Sequence, residues 1–238
     1  MLIGPQISAA DDKLAANLRS LRARIAAAAA QAGRSEQSVT LVAVSKGHDV
    51  SLVRAAAELG VRAFGEIYLQ EALAKRAALD SRAHTWHFIG RVQANKTRAL
   101  AEQFDWVHGI DRLRVAERLS AQRPRSLAPL QVCIQVNIGA DPGKAGIAPG
   151  EAAALARALV QLPQLRLRGL MCILPQGLDA AANRRAFGAL RLLCGQLDGG
   201  GAALDTLSMG MSADFDDAIA EGATLVRIGT ALFGARAG

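Results

Sequence analysis

The chain has 238 residues, enough for one or two domains, and 51% of them are apolar, which supplies a sizeable core and excludes a disordered chain. Aromatic residues make up only 4%, so Leu, Ala, Val and Ile must fill that core. The net charge of +7 comes from 28 Lys and Arg against 21 Asp and Glu, but the basic residues are scattered singly, as at Arg19, Arg22 and Arg24, without the dense runs and interleaved aromatics of a nucleic-acid module. Cys133, Cys172 and Cys194 show no CxxC spacing, and widely spaced, odd-numbered cysteines fit a reducing compartment. The N-terminus carries Asp11 and Asp12 and lacks a continuous apolar signal region, and no segment reaches the ~18 apolar residues of a membrane span. A cytoplasmic protein without membrane or nucleic-acid partners is expected.

Residues 1–10 read as a flexible tail. From residue 11 to about 32, Leu14, Leu18, Leu21 and Ile25 fall at three- and four-residue steps, which predicts a helix stopped by Gly33. A regular beat follows. Strands are predicted over 41–46, 63–66, 86–90, 106–110, 130–137, 165–173, 206–209 and 225–228. Helices are predicted between them, over 49–59, 68–79, 94–103, 112–121, 149–162, 180–197 and 214–221, with 124–129 a loop and 199–201 a flexible turn. Such alternation implies parallel strands joined by right-handed crossovers, and eight units in about 200 residues favour closure into a TIM-type (β/α)8 barrel over an open sheet. The leading helix is an extra element. With no linker or shift in composition, residues 11–238 read as a single domain.

In such barrels the site lies at the C-terminal ends of the strands. Lys46 ends the first predicted strand, Asn137 the fifth, and Ser208-Met209-Gly210-Met211-Ser212 the seventh. Arg227 sits inside the eighth, with Gly229-Thr230 just after it. Alternation places Lys46 on one face with Val44 and Val42, and Arg227 with Leu225 and Gly229. Closure makes strands one and eight neighbours, which brings the two cations together near a dry interior. That is costly unless a bound anion compensates, and a desolvated lysine becomes nucleophilic. Gly210 and Gly229 let backbone N–H groups approach a ligand, Ser212 and Thr230 add hydroxyls, and Asp214 starts a helix aimed at the same place. Barrels often bind phosphate with the loops after strands seven and eight. A phosphate cup beside a strand-end lysine is what pyridoxal phosphate (PLP) requires.

Each part alone has a plainer meaning. A strand-end lysine is commonly a solvated rim residue, and a strand arginine can pair with a carboxylate. His87 and His108 read as satisfied core or rim histidines rather than metal ligands, Lys144 as a loop lysine, and His48 as a pocket or helix-start residue. Asp216 and Asp217 are successive helix positions that face apart, so they make no acid–base pair. The joint placement on adjacent strands is what favours PLP.

At these residues the chain closely resembles the PLP homeostasis protein family, the single-domain, alanine-racemase-like PLP binders. The resemblance runs through Val42-Ala43-Val44-Ser45-Lys46, Phe64-Gly65-Glu66, Tyr68-Leu69-Gln70-Glu71, Trp86-His87-Phe88-Ile89-Gly90, Gln93-Ala94-Asn95-Lys96, Ile134-Gln135-Val136-Asn137, Leu167-Arg168-Gly169-Leu170-Met171, 208–215 and 226–234. It implies PLP held as a Schiff base on Lys46, Arg227 near the pyridine nitrogen, and phosphate contacts from Ser212, Gly229, Thr230 and the 208–211 backbone, including Met209 and Gly210. It also implies a role in vitamin B6 supply and amino-acid balance. Three departures stand out: Gly47-His48 where the family usually has Thr-Lys, Ile67 where it has an Asn directed at the ring side of the cofactor, and Arg91-Val92 in place of His-Leu.

Racemization needs a second base opposite the lysine. The single tyrosine, Tyr68, and the lack of residues for a further domain point to a carrier without efficient catalysis, with PLP-dependent apoenzymes as recipients and a monomeric state. A PLP-dependent racemase or lyase, and a sugar-phosphate barrel enzyme using Lys46 as an aldolase-type amine, are the alternatives.

Overall fold

The computed structural model describes residues 9–79, 83–139, 141, 143–198 and 204–235. The tail read over 1–10 lies outside them for its first eight positions, and the turn at 199–201 lies outside them altogether. The chain opens with α1 (Ala9–Gln31), whose predicted stripe of Leu14, Leu18, Leu21 and Ile25 is buried. The repeating units are β1 (Thr40–Val44), α2 (Val50–Glu58), β2 (Ala63–Glu66), α3 (Leu69–Ala78), β3 (Thr85–Phe88), α4 (Thr97–Gln103), β4 (Trp106–Ile110) and α5 (Leu113–Gln122). They continue through β5 (Leu130–Gln135), α6 (Ala152–Leu159), β6 (Leu165–Met171), α7 (Ala180–Leu197), β7 (Thr206–Ser208), α8 (Phe215–Ala220), β8 (Leu225–Ile228) and a four-residue α9 (Thr230–Phe233). The predicted helices at 94–103 and 149–162 each begin as a 3-10 turn, over Ala94–Lys96 and Pro149–Glu151.

All eight strands pair in parallel, in chain order, and β1 closes on β8 with Thr40 opposite Leu225 and Val42 opposite Arg227. The predicted barrel is therefore the observed one. Outward residues such as Ala43, Phe64, Trp86, Val107 and Val226 join the helices in one continuous core. Inward, Val42, Ala63 and Leu225 form a separate small layer against Trp106. α1 is tied to the far end of the chain: Asn17 Nδ2 donates to the Leu232 carbonyl at 2.9 Å, and Arg24 pairs with Asp216. Among the described residues, no helix is long and apolar enough to cross a membrane.

Candidate functional site

Lys46 falls two positions beyond the strand that sequence reading had it end. The Ser45 N–H still bonds to the Gly65 carbonyl at 3.1 Å, but Gly47 takes φ +72°, a left-handed turn natural to glycine, and the strand stops. Asn137 likewise lies past the end of β5, where its side chain binds the Asp141 backbone of its own loop.

A cavity of about 580 Å³ opens at the C-terminal ends of the strands. Lys46, His48, Ser212, Asp214, Arg227, Gly229 and Thr230 line it, with apolar walls from Val44, Ile67, Ile89 and Leu174. Five of the seven predicted cofactor residues thus face one space. Met209 and Gly210 do not line it: Met209 is buried in the outer core, and Gly210 packs beneath α8. A Cβ at Gly210 would meet Ala218 Cβ at 2.7 Å, and one at Gly229 would meet the Val44 carbonyl at 3.1 Å, so protein packing already requires small residues there. Ser212 Oγ accepts from the Ala231 N–H at 3.3 Å, which fastens the loop after β7 to the start of α9. Asp214 precedes α8 but does not cap it. Its carboxylate turns back to the Met211 N–H at 2.6 Å, and burial raises its pKa.

Lys46 is half-buried, and its amine makes no hydrogen bond or ion pair with any described residue. The turn that presents it is clamped from behind. Lys75 Nζ, on α3, donates to the Ser45 carbonyl at 2.5 Å, to Glu66 Oε1 at 2.7 Å and to Glu71 Oε1 at 2.6 Å. Ser45 Oγ donates to the same Glu66 oxygen at 2.6 Å, and the Gly47 N–H donates to Glu71 Oε1 at 2.5 Å. Burial pushes the Glu66 carboxyl above its ordinary range, while the bonds from Lys75 and Ser45 pull it down.

Arg227 is buried and pairs with no carboxylate among the described residues. Its Nη1 donates to Ser208 Oγ at 2.8 Å and its Nη2 to the Cys172 carbonyl at 2.8 Å. Beneath it, His108 Nδ1 lies 2.7 Å from Ser208 Oγ, and His108 Nε2 lies 2.9 Å from His87 Nδ1. His87 and His108 are thus satisfied core histidines, bound to each other. The sequence singles out the run that begins at Ser208, but it does not mark the Ser208 hydroxyl or Lys75 as partners in these networks, because their contacts come from elements brought together only by the fold. Asp216 and Asp217 do face apart, toward Arg24 and Arg184 respectively. The three cysteine thiols are buried, and burial pushes Cys172 up to about 12 and Cys194 up to about 11, so they stay protonated. A depression of about 330 Å³ at the opposite rim includes Arg22 and Arg62, but both guanidiniums are bound to backbone carbonyls.

Burial holds His87 down to about 3 and His108 well below its ordinary value. An unfolded chain takes up protons below about pH 6.5 that the folded rings refuse. Stability is therefore expected to fall as the pH drops, by about 1.4 kcal/mol per pH unit for each ring. Denaturant titrations between about pH 7 and 5 check this, and a flat profile contradicts neutral rings.

The sequence profile of the family described as "Alanine racemase, N-terminal domain" matches residues 12–237. A Pseudomonas aeruginosa protein named "Pyridoxal phosphate homeostasis protein" is 55% identical over 223 residues, covering 94% of this chain and 96% of that one. An Escherichia coli protein of the same name is 46% identical over 226 residues, covering 94% and 97%. Among solved structures, PipY of Synechococcus elongatus with PLP bound superposes with a TM-score of 0.80 at 39% identity, over 93% of this chain and 100% of that chain. Alanine racemase from Corynebacterium glutamicum shares the fold, with a TM-score of 0.73 at 18% identity over 94% of this chain and 61% of its own. The chain belongs to the alanine racemase N-terminal domain family and, within it, to the pyridoxal phosphate homeostasis proteins.

Proposed function

We propose that the protein binds PLP in the strand-end cavity, with Lys46 as the covalent anchor through a Schiff base, and serves intracellular PLP homeostasis and amino-acid balance without efficient turnover. One observation carries this reading: a half-buried lysine amine and a buried guanidinium, the first with no partner and the second with no carboxylate among the described residues, line the same cavity. A buried guanidinium, a half-buried amine and the hydroxyls of Ser212 and Thr230 suit a phosphorylated aldehyde, which brings its own negative charge and a carbonyl for the amine. Ser212, Gly229 and Thr230 would hold the phosphate, and Arg227 would face the ring. The names of the P. aeruginosa and E. coli relatives, and PLP bound to PipY, support the same assignment.

Bound PLP supplies an electron-accepting ring. A guanidinium facing the ring nitrogen leaves that nitrogen unprotonated and weakens the sink, which favours holding over turnover. Tyr68, the one tyrosine, is 58% exposed and does not line the cavity, so it offers no base across from Lys46. A single barrel domain over 11–238, a cytoplasmic location, a monomeric state and transfer to PLP-dependent apoenzymes complete the proposal.

Borohydride reduction of the PLP-loaded protein, followed by peptide mapping, is expected to place the label on Lys46. The absorbance near ~420 nm should vanish in Lys46→Ala. A label elsewhere, or an unchanged band in that variant, refutes the anchor. Incubation with single amino acids and chiral analysis tests the carrier role, which turnover above ~1 s⁻¹ would overturn.

A further inference from the structure

The barrel interior beneath Arg227 carries a polar column that PLP anchorage does not by itself explain. A guanidinium has donors only. Since Arg227 Nη1 donates to Ser208 Oγ, the Ser208 hydroxyl proton must go elsewhere, and the acceptor in reach is His108 Nδ1 at 2.7 Å. A neutral His108 then carries its proton on Nε2, 2.9 Å from His87 Nδ1, which must accept it. His87 in turn carries its own proton on Nε2. One donor-only cation therefore fixes the direction of every bond in the column. The lower ring is held as well: His87 stacks on Trp106 with centroids 5.4 Å apart and planes 14° from parallel.

We propose that Ser208 and His108, backed by His87, are positioning residues for Arg227, holding its guanidinium in one orientation as a pure donor toward the cavity. This rests on the reading that Arg227 faces the PLP ring. The Ser208 bond and the Cys172 carbonyl take two of the guanidinium's N–H groups and fix its plane, and the remaining donors serve a lone pair in the cavity. The column has no proton to pass upward, because both rings are neutral and each has its acceptor nitrogen turned toward the group above. An acceptor facing Arg227 thus stays unprotonated.

Two measurements on the full-length, PLP-loaded protein test this. Nitrogen-15 NMR of labelled histidines should show both rings protonated on Nε2 and bare on Nδ1. A proton on Nδ1 of either ring overturns the proposal, and this readout needs no variant to fold. The second measurement follows the position of the PLP absorbance band and the rate of PLP release. Ser208→Ala and His108→Leu should both shift the band and speed release by about 10-fold or more. His108→Asn keeps an acceptor oxygen near the Nδ1 position and should stay within about 3-fold of wild type. An unaltered Ser208→Ala protein, or a His108→Asn protein as impaired as His108→Leu, overturns the proposal. A wild-type protein with no borohydride-trapped label on Lys46 overturns the PLP reading instead, and the tautomers still decide the direction of the column.

Discussion

Replacing Lys75 by Met is expected to remove about 3–5 kcal/mol of stability, the range for breaking a buried ion pair from one side. Lys75 is 3% exposed and Glu66 is fully buried. Each of the three ammonium protons has an oxygen within 2.5–2.7 Å, from Ser45, Glu66 and Glu71. The other Glu66 oxygen, Oε2, is already buried with no hydrogen-bond partner among the described residues, so the carboxylate depends on the bonds that Lys75 and Ser45 make to Oε1. Without the ammonium, a carboxyl that burial already pushes upward must take a proton. The thermal midpoint should drop by about 10 °C, since a chain of this size loses roughly 2–4 °C per kcal/mol. The deficit relative to wild type should shrink in acid. A carboxyl whose folded pKa is raised favours the folded state below its unfolded pKa, and that stability is lost as the pH rises through the folded value. Lys75→Met combined with Glu66→Gln removes both charges of the buried pair and should recover most of the loss. A single variant within about 1 kcal/mol of wild type would sink this account. The effect also reaches the site, because Ser45 and Gly47 flank Lys46 and the cluster grips both. Borohydride trapping on Lys46 should slow in the single variant and recover in the double one.

The sequence reading and the structure agree where the signal is periodic and diverge where it is not. Eight apolar runs between helical stripes sufficed for the barrel, because β-branched strands buried on both faces and amphipathic helices leave different periods. Closure then made β1 and β8 neighbours, which is why Lys46 and Arg227 were legible as a pair from positions 181 residues apart. Strand ends were less legible: Lys46 overran β1 because the stop comes from the backbone turn at Gly47, not from a change in hydrophobicity. α9 escaped notice because four residues are too few to show a helical period. Neither buried network was readable. Lys75 meets Glu66 only because α3 returns over β2, and His108 meets Ser208 across the barrel interior from 100 residues away. Nothing local marks such partners, whose contact depends on the register of strands that are not neighbours in the chain.

The register of β6 depends on a glycine, and Gly169→Ala is expected to cost about 3 kcal/mol or more, at the upper end for overpacking. A Cβ at Gly169 would lie 1.8 Å from the Thr206 carbonyl oxygen and 2.7 Å from its carbon. Both are main-chain atoms, so no rotamer change relieves the clash, and β6 must move away from β7. The approach is close because β6 is irregular here. Opposite β5, Val132 pairs with Leu167 but the next residue, Cys133, pairs with Gly169, which leaves Arg168 as an extra residue in a bulge. That bulge lets Arg168 form a two-pronged bond to Asp205, at 2.8 and 2.6 Å, while its guanidinium lies 4.9 Å from the centre of the Trp106 ring. Displacing β6 would loosen that contact and Ser208, two residues beyond Thr206 on β7 and partner to Met171 of β6. Thermal melting of Gly169→Ala should show a midpoint lowered by about 10 °C, with faster PLP release accompanying it. Gly195→Ala is the matched control: it adds the same methyl group at an exposed position of α7 with nothing within 4 Å, and should leave stability unchanged or raise it by about 1 kcal/mol. If the two variants melt together, β6 and β7 have room that the main-chain contact denies, and the tight seam between them is not what sets the height of Ser208 under Arg227.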